Sequence, residues 1–184
     1  MKRIWECVLV FCVGAAPVFG AEKPIDAARS TLTIHVGKTG LLAAAGHEHT
    51  VRAPIERGAI EDGEAAKVSF EVEAARMTVL PEDHQEEIQR NMQEHVLDSA
   101  HFPKIRFASD SVKPAGEGAW EVLGRLTLHG QTRPVAVHVQ LRDGAYRGNT
   151  VIKQTDFGIQ PVSAGGGTVK VKNELKIEFL IRAK

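Results

Sequence analysis

Beyond residue 20 this chain has no cysteine: Cys7 and Cys12 are its only two. Residues 21–184 are therefore without disulfides, thiol nucleophiles or cysteine-ligated metals. Nor is there an excess of positive charge. Lys and Arg number 23 and Asp and Glu 23, and leaving out Lys2, Arg3 and Glu6 puts the remainder one acid ahead. A chain so balanced carries no electrostatic footprint for nucleic acid. After the first 20 residues no apolar run is long enough to cross a bilayer as a helix. The opening run itself, Ile4 to Phe19 broken by Glu6, Gly14 and Pro17, follows Met1-Lys2-Arg3 and ends on the small residues Val18 and Gly20. That order reads as a secretory signal over residues 1–20 cut after Gly20, with a periplasmic or secreted domain over 21–184. Phe11, before Cys12, stands where a lipoprotein signal needs a small residue, so the reading favours release over lipid anchoring.

Several catalytic signatures are also missing their partners. Gly165-Gly166-Gly167 lacks the Lys-Ser/Thr of a phosphate loop and reads as a hairpin connection. Asp156-Phe157-Gly158 resembles a kinase magnesium motif, but no Gly-rich loop, Val-Ala-x-Lys strand or His-Arg-Asp loop accompanies it. His101 has no serine and carboxylate at the spacing of a triad, and is expected to be a polar cap at a helix-to-strand junction. There is no internal repeat.

What the chain does have is alternation. Thr31 to Val36, Val68 to Glu73, Lys104 to Ser109, Trp120 to Leu128, Val135 to Leu141 and Leu175 to Arg182 place apolar residues at every second position, and a further strand is read over Tyr146 to Thr155. Such runs are half-buried strands. Trp120 to Leu128 and Val135 to Leu141 form a hairpin turning at Gly130, with Pro134 opening its second strand. From Pro81 the period changes: Ile88, Met92 and Val96 are four apart among acids, predicting an amphipathic helix of about four turns that starts at Pro81 and lies across the barrel surface or its mouth. About eight strands and one helix define an all-β fold, an antiparallel sandwich or barrel; an eight-stranded barrel is either filled by side chains or holds one small ligand.

The sharpest candidate for metal chemistry is Gly46-His47-Glu48-His49. On an extended segment His47 and His49 share a face and reach one ion, with His84, His95 or His101 as the nearest third donors. His84 and His95 stand about 16 Å apart along the helix and cannot share that ion. Two histidines without a third ligand in register read first as polar rim residues, and the site assignment carries no metal and no cofactor.

Three blocks resemble one known family. Leu97-Asp98-Ser99-Ala100-His101-Phe102-Pro103-Lys104-Ile105-Arg106-Phe107 is similar to the L-x-S-x-x-F-P-x-I-x-F signature of the YceI-like polyisoprenoid-binding proteins. Gly124 to Val135 is similar to their G-x-L-T-L-x-G-x-T-R-P-V block, and Asp156-Phe157-Gly158-Ile159 to their D-F-G-I block. The resemblance runs from about Ile25 to Arg182. It departs at the His47/His49 pair and at Gln154, where the family usually carries arginine. It implies an eight-stranded lipocalin-like barrel whose bore holds an isoprenoid chain. The lining would then come from the inward faces Leu32, Ile34, Val36, Phe70, Val72, Ile105, Phe107, Trp120, Val122, Leu126, Leu128, Val135, Val137, Val139, Ile177, Phe179 and Ile181. The function expected is a non-catalytic carrier of a long-chain apolar or amphiphilic molecule, whether polyisoprenoid, isoprenoid quinone, fatty acid or fatty amide. A metal- or haem-binding barrel using His47 and His49 is the alternative, and an enzyme acting on a lipid comes third. Transient membrane contact and a homodimer remain open as further partners.

Overall fold

The computed structural model describes residues 21–39, 48–63, 66–81, 83–164 and 169–184. Each alternating run is a strand. β8 (Ala119–Leu128) and β9 (Gln131–Arg142) pair with Trp120 opposite Val139 and Val122 opposite Val137, so one face of the hairpin is apolar on both strands up to Val135, beyond which Arg133 and Gln131 stand opposite Leu126 and Leu128. His129 and Gly130 both take positive φ, 49° and 70°, the geometry of a two-residue hairpin turn whose twist matches its strands. β9 begins at Gln131, three residues before Pro134; its registered pairing with the next strand reaches only His138, so on that side Pro134 faces no ladder.

The other strands are β1 (Glu22–Pro24), β2 (Thr31–Thr39), β3 (His49–Arg52), β4 (Ile55–Glu61), β5 (Lys67–Glu73), β6 (Thr78–Val79), β7 (Lys104–Pro114), β10 (Ala145–Lys153), β11 (Ser163–Ala164) and β12 (Val169–Ile181). They form one antiparallel sheet of twelve strands in the order β1-β4-β5-β7-β8-β9-β10-β12-β2-β3-β6, with β11 beside β12. Eight of these have seven residues or more, in line with the about eight strands expected: seven answer to the runs read in the sequence, and the eighth is β4, whose apolar pattern Gly58 interrupts; β1, β3, β6 and β11 have two to four, too few to show a period.

The sheet curls into a barrel and is closed differently at its two ends. At one end β1 pairs with β4, while Ile25 bridges to Ala183 and Asp26 N–H donates to the Arg182 carbonyl at 2.8 Å. Backbone bonds complete the wall there. At the other end β5 continues into β6, which pairs with β3, leaving the far edge of β6 without a strand among the described residues. A helix, α1 (Gln85–Asn91), fills this gap and widens into a π-turn over Met92–Val96. It starts four residues after Pro81, because Leu80 N–H still donates to the Thr50 carbonyl and holds the chain to the sheet, and His84 in left-handed geometry begins the first turn.

Two stripes four residues apart define the inner side of this helix. Ile88, Met92 and Val96 pack against the apolar core, as their spacing predicts. Beside them, Gln85, Gln89 and Gln93 bond the bare strand edge. Gln89 accepts from Val79 N–H at 2.7 Å and donates to the Met77 carbonyl at 2.8 Å; Gln85 donates to the Val79 carbonyl at 2.8 Å; Gln93 donates to the Ala74 and Met77 carbonyls at 3.0 Å each. Amide side chains thus stand in for the missing strand, since buried backbone groups must find partners.

Candidate ligand-binding cavity

The inner faces of β2, β5, β7, β8, β9, β10 and β12 enclose a cavity of about 400 Å³. Every residue of the predicted lining stands on its wall except Val36. Val36, opposite Leu175 and His49 where β2 runs on toward the helix end, packs against the core beyond the cavity. Leu141, at the end of the same alternating run as Val135, Val137 and Val139, is 42% exposed at the rim.

Two glycines shape the wall. At Gly124 a Cβ would come within 2.5 Å of the Phe107 ring, and at Gly148 within 2.4 Å of the Phe179 ring. The missing side chains let both rings lie flat against the sheet and leave the bore open rather than filled. Phe107 stacks on Phe70 at a centroid distance of 5.4 Å.

Sequence reading missed part of the lining. Ile60, Val68, Val112, Ile152 and Leu175 extend the apolar wall. Tyr146 and Thr150 belong to it too, on a β10 face whose alternation is interrupted by Gly148 and left without a clear apolar signal. Polarity gathers at one end, where Glu61, Asp62, Gly63 and Lys67 of the β4–β5 turn join the lining. Asp62 is ion-paired with Lys23 of β1, and that bond raises the Lys23 pKa. Tyr146 packs its ring against Trp120 at 5.9 Å, and burial, reinforced by the Asp62 charge, pushes its pKa up. This end is the mouth.

The opposite end is the floor, and the signature blocks meet there. The Phe102 ring lies 4.3 Å from the His129 ring and over Gly130, where a Cβ would clash at 2.7 Å. Phe157, 1% exposed, is buried in the same apolar cluster as Leu128 and Ile152. Gly158 (φ 75°) ends the short helical turn Gln154–Phe157, its N–H donating to the Thr155 carbonyl at 3.1 Å. The Asp-Phe-Gly string is therefore a plug with its cap. Gln154 turns inward and donates to the Lys172 carbonyl at 2.8 Å, a wall contact rather than a ligand contact.

On the outside of the wall Glu71, 5% exposed, receives Arg106 at 2.7 Å, Arg57 at 3.1 Å and Lys104 at 3.2 Å. The Arg106 bond above all, helped by Lys104 and Arg57 and opposed by burial, lowers its pKa from 4.5 to about 2. These pairs tie β4, β5 and β7 together across the outer face.

Among the described residues the histidines do not assemble into a metal site. His47 lies outside the described residues. His101 Nδ1 sits 2.7 Å from Asp98 on the exposed surface. Among the described residues no group of three His, Cys, Asp or Glu side chains is placed to hold a metal ion. No helix among them is long and apolar enough to cross a membrane.

An antiparallel barrel with an apolar bore, a polar mouth and a plugged floor defines a class of small-molecule-binding barrels. The chain belongs to the YceI-like family, whose domain matches residues 24–183. A UPF0312 protein of Pseudomonas savastanoi is 31% identical over 126 residues, which are 63% of this chain and 62% of that protein. Among solved structures, Burkholderia cenocepacia BcnA superposes with a TM-score of 0.64 at 18% identity, over 85% of this chain and 98% of its own. A polyisoprenoid binding domain from Saccharophagus degradans gives 0.56 at 13% identity, over 88% and 98%. At these identities the likeness is one of fold.

Proposed function

We propose that this protein is an exported carrier that holds one long-chain apolar or amphiphilic molecule in its bore without turning it over. The observation that carries the reading is the cavity itself, walled almost wholly by aliphatic and aromatic side chains from mouth to floor. Each buried methylene contributes about 0.8 kcal/mol, so a prenyl chain of about five units supplies ample affinity after ordering costs. An isoprenoid tail is the favoured guest, since a structural relative from Saccharophagus degradans is described as a polyisoprenoid binding domain. The apolar leader over residues 1–20 supports export.

Solvent extraction of protein purified from the exported fraction, followed by mass spectrometry, tests the reading. A lipid or isoprenoid at near-stoichiometric amount is expected, with an intact mass starting at Ala21. Protein retained with Met1 in the cytoplasm would remove export; no extractable guest and no uptake of a fluorescent prenyl probe would remove the carrier role.

A further inference from the structure

The mouth says what the polar end of the guest is. We infer, resting on the carrier reading, that the head group is an uncharged hydrogen-bond acceptor such as a ketone, quinone or amide carbonyl, received by the Tyr146 hydroxyl, and that phosphate and carboxylate heads are disfavoured. Tyr146 is the only tyrosine in the chain and lines the cavity at the level of Asp62 and Trp120. Among the described residues its hydroxyl makes no hydrogen bond, although the ring is packed on Trp120 and on the Ile25 and Ile181 cluster. A phenol held by its ring, with its O–H unspent beside an apolar bore, is a fixed donor at the place where an amphiphile's tail ends and its head begins. The phenol stays protonated over the whole neutral range, since burial raises its pKa.

The charges around it argue against an anion. Two carboxylates, Glu61 and Asp62, line the mouth against Lys67, with Lys23 already engaged by Asp62. Lys67 stands opposite Glu61 in the β4–β5 register, and Glu22 stands opposite Glu61 on its other side, so acids outnumber bases around that position. An incoming phosphate would have to sit beside Glu61 and Asp62 even where it reached Lys67, whereas a neutral carbonyl needs only the donor. Specificity of this kind comes as much from the repelled competitor as from the contact made.

Three probes with a common tail test it on the mature protein, by displacement of a fluorescent prenyl reporter at low ionic strength: geranylgeranylacetone, geranylgeranyl phosphate and the head-free C20 hydrocarbon. The ketone should bind at least about tenfold more tightly than the phosphate. Tyr146→Phe should weaken the ketone about three- to tenfold, the range of one neutral hydrogen bond, and leave the hydrocarbon as it was. Glu61→Gln should tighten the phosphate. Equal or tighter binding of the phosphate by the unmodified protein, or a ketone affinity indifferent to Tyr146→Phe, overturns the head-group inference while hydrocarbon binding keeps the carrier reading intact. Failure of all three probes to bind overturns both.

Discussion

Single side chains separate an open bore from a solid core. Val137 and Leu126 both face the cavity and are buried, at 7% and 8% exposure. In a solid core, Val137→Trp or Leu126→Trp would over-pack and cost about 1–3 kcal/mol, about 2–12 °C in Tm at this size. In an open bore the indole occupies the guest's place, so uptake of a prenyl probe is lost while Tm changes by less than about 2 °C. Gln140→Trp, on the exposed face of the same strand, should leave both unchanged. Glu71 gives a second residue-scale outcome. Its carboxyl has a pKa of about 2 in the fold against an ordinary 4.5, so between those values the unfolded chain binds more protons and stability falls as pH falls. Acid titration of Tm should show the loss below about pH 4.5, and Glu71→Gln should flatten it while lowering stability at neutral pH, because Arg57 and Arg106 then lose their shared carboxylate beside Lys104, which Glu56 still holds.

The long strands were legible because each buries one face and exposes the other, and a period of two survives over seven residues or more. Trp120, Val122, Leu126 and Leu128 show it best, and all four stand on the cavity wall. Short elements were not legible. Nothing in Thr78-Val79 announces a strand, and its edge is recognised only in three dimensions, where Gln85, Gln89 and Gln93 meet it. Those glutamines were hidden in plain sight, four apart beside the apolar stripe, since a polar residue next to a buried face reads as solvated until a bare backbone is found opposite. Tyr146 escaped for a related reason: Gly148 and Thr150 break the apolar alternation around it. The prediction at this scale is that Gln89→Leu, which strands the Val79 N–H and weakens the hold on the Met77 carbonyl, costs about 1–3 kcal/mol by denaturant titration. Glu87→Ala, on the same helix without such a bond among the described residues, should stay within about 0.5 kcal/mol.

For the whole molecule, a guest that binds only the folded barrel must stabilise it by mass action. At a guest concentration of about 100 times Kd the gain is about 2.7 kcal/mol, equivalent to about 5–11 °C in Tm for a domain of this size. Thermal scans with and without geranylgeranylacetone measure it, and extracted protein should melt lower than protein carrying its co-purified guest.

The two ends of the barrel also differ in what joins them. At the mouth the ring is completed by main-chain bonds between the first strand and the last, which resist stretching. At the floor one joint is made of three long amide side chains, each free to rotate and re-form its bonds over a range of separations. Girth is therefore a stiff coordinate at the rim and a soft one in the depths, as in a sleeve with a rigid cuff and an elastic toe. On the carrier reading, a branched or folded tail would be accommodated by spreading the toe, with no strand slipping its register, while the cuff gauged the head.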